Sequence, residues 1–341
     1  MEKLDEIVAG LSAGGQVVAA GGFTLDRAHA LRKLEKYQMR DPALAVARFV
    51  EAASLLGGSL RAFASPWGLQ FLLHRVYLSR REAEDLLLHA LEPGRSPRSR
   101  ALAELAVGLL AAPRDARRVT FTSCDTEGAY RLSFADDHTA TITSLPEPWR
   151  PTSIDIVRFL LPLPLEYRKP EELRELEVLR VLAHWSTADM FIADERVGLG
   201  LPMQYLARRE LRATGVLGVI GLRHPKEQTR TDAYARYSNA NTCTLHVLSN
   251  GIHIEAFALP NVPSAIGLAI DVQDVNKDVA HEHVVRDARF EARLDWLRAQ
   301  LVEYGAWLDA QRPTLPSYGP ARLAQIVESL RRLERIEARE P

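Results

Sequence analysis

The sequence predicts an α+β protein that ends in a pair of helices. Apolar residues recur at helical spacing in 46–56 and again in 288–310. Between these stretches, short runs rich in β-branched and aromatic residues are separated by glycine, proline and asparagine, which is typical of strands joined by turns. The 341 residues are enough for two domains, each with its own hydrophobic core.

The bulk composition is that of an ordinary globular protein. Hydrophobic residues make up 47% and charged residues 26%, and 43 basic residues against 44 acidic ones leave a formal net charge of -1. With so little net charge, the protein as a whole does not attract nucleic acid or an anionic membrane electrostatically, so neither is expected as a partner. Two cysteines, no signal-peptide pattern and no long apolar run predict a cytoplasmic location.

The first helix-and-strand region carries clear start and stop signals. Thr24 is a candidate cap for a helix over 24–37, and Asp41-Pro42 predicts the start of a second helix. Gly57-Gly58 is expected to end that helix. Ser79 and Glu82 match a capping box at the start of a third helix. Further elements are expected as strands at 60–65, 69–78, 118–123, 130–134, 139–144 and 153–159 and as helices at 100–112 and 171–184.

The second half is predicted as strands followed by two helices. The strand candidates are 215–222, 242–248, 252–259 and 266–272, and Ser249-Asn250-Gly251 is a tight-turn signal between two of them. Leucines and aromatic residues recur along 288–310, and Leu323, Ile326, Leu330 and Leu333 mark a last helix. An antiparallel hairpin is the simplest arrangement of these helices. A homodimer seam is the alternative, which would need sustained heptads.

The order of elements near the start resembles that of a known ATP-binding family. A helix, a helix opened by Asp41-Pro42, a hairpin and a helix opened by Ser79 follow one another over 23–91. This order resembles the nucleotide-binding domain of the GHKL superfamily, which includes gyrase, MutL, histidine kinases and HtpG-type chaperones. The resemblance implies a two-layer α/β sandwich that binds ATP and Mg²⁺.

The residues at the family's functional positions mostly differ from its motifs. The family's helix carries Glu and, four residues later, a Mg²⁺-binding Asn; here Glu51 matches but Leu55 has no oxygen ligand to offer. The adenine-reading D-x-G-x-G motif falls on His74, Val76 and Leu78. Large side chains there, with Arg75 and Tyr77 beside them, are expected to fill the space of the base.

The remaining parts of the resemblance are looser. Residues 92–109 occupy the place of the family's glycine-rich lid, where only Gly108 matches its pattern. Strand 118–123 and the segment beginning at Thr152 resemble strands that follow the lid. In a βαβ transducer-like second domain, His281 stands where the chaperones have a phosphate-contacting arginine, and Lys277 is a possible substitute. The implied domains are 1–200, 201–285 and a helical hairpin at 286–341.

Three classes of function follow from these residues. The resemblance, with its missing motifs, favours a non-catalytic chaperone-like, scaffold or regulatory protein that binds a protein partner and has no cofactor. The alternative is a divergent ATPase or nucleotide-gated switch in which Glu51 and Lys277 still act on ATP with Mg²⁺. A third class is an unrelated enzyme in the second domain. No metal site is predicted, because His281-Glu282-His283 and Asp136-Asp137-His138 lack the spacing of a ligand set.

Overall fold

The computed structural model describes most of the chain as two compact units. The described residues are 42–65, 68–91, 96–112, 118–134, 140–146, 152–157, 173–186, 188–201, 205–224, 242–273, 275–278 and 283–337. The first unit comprises Met1–Val178 with Phe191–Glu195, and the second comprises Leu179–Met190 with Arg196–Pro341. Helices and sheets occur in both, which confirms the predicted α+β class. No described helix has the length and apolar character that crossing a membrane requires.

The first sheet has eight strands in the order β5-β4-β3-β6-β2-β1-β7-β8. The pairs from β5 to β1 are antiparallel, and β6 lies between β2 and β3. The helices of this region are α1 Ala45–Leu55, α2 Arg80–Glu84, α3 Pro97–Ala111 and α4 Arg174–Leu182. The strands are β1 Ser59–Ser65, β2 Gly68–His74, β3 Arg118–Asp125, β4 Gly128–Phe134, β5 Ala140–Ser144, β6 Thr152–Val157, β7 Met190–Ile192 and β8 Glu195–Arg196.

The predicted end of α1 is confirmed in atomic detail. A short 3₁₀ turn, Pro42–Leu44, leads into α1, while Asp41 and the helix predicted at 24–37 lie outside the described residues. At the other end, Gly57 has a φ of 68° and its N–H donates to the Ser54 carbonyl over 3.0 Å. The N–H of Gly58 donates to the Ala53 carbonyl over 2.8 Å. These two bonds form a Schellman motif, which satisfies the last carbonyls of the helix.

The capping box that opens α2 is also confirmed. Ser79 Oγ accepts from the Glu82 N–H over 3.3 Å, and the Ser79 N–H donates to Glu82 Oε2 over 2.8 Å. The strand before it is shorter than predicted, because β2 ends at His74 rather than Leu78. Arg75 has a φ of 63°, outside the β region, and this turns the chain out of the sheet.

The second unit contains a mixed five-stranded sheet in the order β12-β11-β13-β10-β9. The β11–β13 pair is parallel and the other pairs are antiparallel. Between 205 and 273 the described elements are all strands, and 225–241 lie outside the described residues, so the predicted βαβ arrangement stays a prediction. The strands are β9 Leu206–Ala213, β10 Val216–Leu222, β11 Thr242–Ser249, β12 Ile252–Pro263 and β13 Ile266–Val272.

The tight turn between β11 and β12 is confirmed. Ser249 pairs with Ile252, and the two residues between them, Asn250 and Gly251, have φ values of 49° and 87°. Positive φ at both central positions is the signature of a type I′ turn, whose twist matches that of the flanking strands.

Two C-terminal helices cover one face of the second sheet. They are α5 Ala288–Ala310 and α6 Pro320–Glu337, which confirms both helix predictions. Asp287 caps α5 by accepting from the N–H groups of Arg289 and Phe290, each over 3.0 Å. One hydrophobic cluster joins the helices to the sheet, and its members include Leu297, Leu301, Leu323, Leu330, Leu245, Leu268 and Ile270.

The opposite face of this sheet holds an aromatic ring against two paired glycines. Gly221 of β10 lies opposite Gly267 of β13 in the ladder. A Cβ added to Gly221 would lie 2.5 Å from Tyr205 Cβ, and one added to Gly267 would lie 2.4 Å from Tyr205 Cζ. Only glycine leaves room for the ring at these two positions.

Candidate functional site

Glu51, the candidate catalytic carboxylate, is buried in a cluster of charged side chains. It projects from the middle of α1 and has no exposed surface. Its Oε1 lies 2.6 Å from Nη1 of Arg48, one helical turn earlier. The same Nη1 donates over 3.2 Å to Oε2 of Glu104 on α3. Arg48 therefore bridges two carboxylates inside the first unit.

The placement of Glu51 limits what it can do. A general base must reach the proton it removes within hydrogen-bond distance, either directly or through one water. Here the carboxylate is shielded from solvent and engaged by a guanidinium. Leu55, which the sequence resemblance compares with a Mg²⁺ ligand, is half-buried at the last residue of α1, and its side chain has no oxygen atom. The two positions together hold an internal ion pair and a packing residue.

Residues 75–78 alternate between the surface and the interior. Val76 and Leu78 are each 1% exposed, whereas His74 and Arg75 are exposed and Tyr77 is 42% exposed. Val76 and Leu78 thus fill interior space, as the sequence led us to expect. The same was expected of Arg75 and Tyr77, but their side chains are exposed and do not fill it. Arg75 lies at the turn that follows β2, and Tyr77 lies between the two buried residues.

Buried hydroxyl groups hold the backbone of this segment. Thr152 Oγ1 of β6 donates to the Val76 carbonyl over 2.6 Å and lies 2.7 Å from Ser123 Oγ of β3. Ser123 Oγ accepts from the Leu78 N–H over 3.3 Å, and the Tyr130 hydroxyl donates to the Leu78 carbonyl over 2.7 Å. Burial raises the pKa of Tyr130 well above its ordinary value, so this hydroxyl stays a donor. The carbonyls of Val76 and Leu78 and the N–H of Leu78 are therefore paired within the protein.

Gly108 serves close helix packing rather than a phosphate loop. It is buried within α3, and a Cβ added to it would lie 2.5 Å from Cε1 of Phe49 on α1. The Phe49 ring also lies 5.5 Å from that of Phe71 on β2, centroid to centroid. Residues 92–95, from the predicted lid, lie outside the described residues.

The candidate residues of the second half do not form a described site. Lys277 is half-buried and makes an isolated β-bridge with Val284. His281 and the turn predicted at Asp136-Asp137-His138 lie outside the described residues. His283 is exposed, with its Nδ1 3.7 Å from Glu255 Oε2. Within the described part of the chain, no three histidine, cysteine, aspartate or glutamate side chains are grouped to hold a metal ion.

A buried histidine pair in the second unit was missed by the sequence reasoning. Nδ1 of His246 on β11 lies 3.2 Å from Nε2 of His253 on β12. The Trp185 ring meets His246 edge-on, with centroids 4.4 Å apart. The turn signal at Asn250-Gly251 could have revealed the pair, since it sets Leu248 opposite His253 and puts His246 on the same face.

Both imidazoles are held in the neutral form. Burial lowers the pKa of His253 to about 4. Burial, together with the neighbouring His253, lowers the pKa of His246 to about 2. Two neutral rings in contact can share one N–H···N hydrogen bond, in which one ring donates and the other accepts. The pair is thus suited to joining two strands.

In comparisons with known proteins, no family model and no curated protein matches this chain.

Proposed function

We propose that this protein is a non-catalytic scaffold or chaperone-like regulator that acts in the cytoplasm by binding a protein partner. In this proposal its first unit is a degenerate GHKL-like domain and its second unit is transducer-like. The observation that carries the proposal is the full burial of Glu51 against Arg48, 2.6 Å away. The residue that would direct water at a phosphate is committed to an internal ion pair.

The order of elements supports the GHKL-like interpretation. The sequence resemblance over 23–91 rests on a helix at 24–37, a helix opened by Asp41-Pro42, a hairpin and a helix opened by Ser79. Of these, α1, the hairpin β1–β2 and α2 lie in the described residues and follow one another in that order, and α3, β3–β5 and β6 come after them. Strand β6 lies between β2 of the hairpin and β3, so these strands form one continuous sheet.

The interior of the first unit supports the absence of nucleotide turnover. Val76 and Leu78 are buried where the family has glycines, and the backbone between them is bonded to Thr152, Ser123 and Tyr130. An adenine ring would have to displace these side chains and break these hydrogen bonds. Burying polar groups without replacement partners costs about 1–3 kcal/mol for each group.

The test is thermal unfolding and hydrolysis in the presence of Mg-ATP. A ligand that binds only the folded state stabilises it by about 2.7 kcal/mol at one hundred times its Kd. We expect no rise in the melting temperature with millimolar Mg-ATP or Mg-ADP, and no hydrolysis above that of a Glu51→Gln control. Nucleotide-dependent stabilisation that Lys277→Ala removes would establish the alternative, a nucleotide-gated switch, and would contradict the proposal.

A further inference from the structure

Strand β5 forms a free edge of the first sheet. It pairs with β4 on one side, and within the described part of the chain no strand pairs with its other side. Every second residue of an edge strand directs its N–H and C=O groups away from the sheet, so β5 presents a row of unpaired main-chain groups. We call this row the β5 edge.

The other three edge strands of the described sheets each carry a feature that discourages pairing with another chain. β8 is two residues long, and β9 has four charged side chains among its eight residues. β12 contains two prolines, and its register against β11 shifts at two places. Very short length, charge, proline and bulges are the means by which native proteins protect a sheet edge.

β5 has none of these protecting features. Its five residues, Ala140–Ser144, are a usual length for a strand and include no charged residue and no proline. The ladder between β4 and β5 runs through five successive pairs without a shift in register. The β5 edge is therefore the one place in the described sheets where an added strand meets no obstacle of this kind.

The side chains of β5 are divided between the two faces of the sheet. Ile142 lies opposite the buried Leu132 and is itself half-buried. Thr141 and Thr143 alternate with Ile142 and are exposed. A strand that pairs with the β5 edge would thus meet one apolar side chain on the inner face and two uncharged hydroxyl groups on the outer face.

This pattern is complementary to itself. In an antiparallel pair of two β5 strands centred on Ile142, the two Ile142 side chains lie opposite each other. Thr141 of each copy then lies opposite Thr143 of the other. Thr–Thr pairs directly across a ladder are favourable, and within the paired strands no like charges oppose one another. A two-fold axis through the seam makes both halves of the contact identical and closes the assembly at two copies.

We propose that β5 pairs in this register with β5 of a second copy of the chain, so that the first sheets of two copies become one continuous sheet. The contact goes beyond the proposed function, because it needs neither nucleotide nor another protein. Five residues are few beside the about 20–30 that each partner contributes to a standard interface. The dimer is therefore weak and forms as the protein concentration rises.

The test is sedimentation equilibrium from about 1 µM to about 1 mM protein, a range that covers weak contacts. We expect the average mass to rise from 38.1 kDa toward twice that value. Thr141→Lys with Thr143→Lys sets lysines opposite one another and should weaken the dimer at least about 10-fold. Thr141→Glu with Thr143→Lys sets glutamate opposite lysine in the same register and should restore dimerisation to within about 3-fold of the unmodified protein.

The matched control adds two positive charges elsewhere. Ala299→Lys with Ala306→Lys changes exposed residues of α5, one of the two helices that offer the alternative homodimer seam, and should leave dimerisation unchanged. Circular dichroism checks that each variant keeps its fold.

Three results would overturn the inference. The first is a mass that stays at 38.1 kDa at every concentration. The second is a dimer that the α5 variant weakens and the double-lysine variant of β5 does not. The third is a failure of the glutamate–lysine combination to restore the dimer, which would exclude the register centred on Ile142.

Discussion

The two units bury polar side chains in opposite ways. In the first, the guanidinium of Arg48 lies between the carboxylates of Glu51 and Glu104 and contacts both of them. In the second, His246 and His253 are buried as neutral rings, because burial lowers their pKa values. Ionised groups need a partner of opposite charge to be buried, whereas a titratable group can give up its charge instead. The two units should therefore respond differently to mutation and to pH.

The largest effect is expected from removing the central cation of the first unit. Arg48→Met leaves two buried carboxylates without their partner and should lower the free energy of unfolding by about 3–5 kcal/mol. Urea unfolding would measure the loss. Adding Glu51→Gln and Glu104→Gln to that variant should recover most of it, since no uncompensated charge then remains. An Arg48→Met variant as stable as the parent would show that the contacts of Arg48 with the two carboxylates add no stability.

The second prediction concerns the histidine pair and pH. The folded-state pKa of His253, about 4, lies below its unfolded value of 6.5, so the unfolded chain takes up the proton first as the pH falls. Stability should therefore decline from pH about 6.5 to about 4, by an amount on the order of 3 kcal/mol from His253.

Denaturant titrations at several pH values would check this. His253→Gln should flatten that part of the pH profile, whatever its effect on stability at neutral pH. The control is His74→Gln, which changes an exposed histidine in the first unit. The same flattening in both variants would show that the buried pair is not the source of the pH dependence.

Neutral polar groups buried in the first unit provide an intermediate case. Thr152→Val has nearly the same shape but removes the hydroxyl that contacts the Val76 carbonyl and Ser123. Leaving these groups without a partner should cost about 1–3 kcal/mol. Thermal unfolding would measure the loss, with Thr143→Val, an exposed threonine of β5, as the matched control. Equal melting temperatures for the two variants would mean that the hydroxyl network adds no stability.

The smallest effect is expected where a carboxylate is only partly buried. Hydrogen bonds from Arg98 lower the pKa of Glu82 to about 2, and solvent screening reduces the free energy that this shift represents. Its contribution should be complete above pH about 4.5 and be lost as the pH falls toward 2. Glu82→Gln should cost about 1 kcal/mol at neutral pH, the usual value of a cap. Acid titration followed by circular dichroism should show a shallower loss in this variant.

Local signals predicted the element ends well, and distant contacts account for the errors. The Gly57-Gly58 stop, the Ser79 cap and the Asn250-Gly251 turn each depend on a few neighbouring residues, and all three are confirmed. The premature end of β2 was not predicted. The segment after Arg75 is fixed by hydroxyls from β3, β4 and β6, which are distant in sequence.

In the candidate site too, contacts between neighbouring residues were predictable and contacts between distant residues were not. The Arg48–Glu51 pair is spaced at i, i+3 on one helix and was within reach of sequence reasoning. The contribution of Glu104 was not, because it depends on how α3 packs against α1. The burial of Val76 and Leu78 and the exposure of Arg75 and Tyr77 were not predictable from strand alternation, because β2 ends at His74 and Arg75 has a left-handed φ.

The packing of Tyr205 against two glycines limits which substitutions the second unit can accept. Its ring lies against the main chain of Gly221 and Gly267, so the fit depends on a gap that any side chain would close. A methyl group at either glycine would displace Tyr205, the residue just before β9, from the sheet. A smaller side chain in place of Tyr205 should therefore be tolerated more readily than a larger residue in place of Gly221 or Gly267.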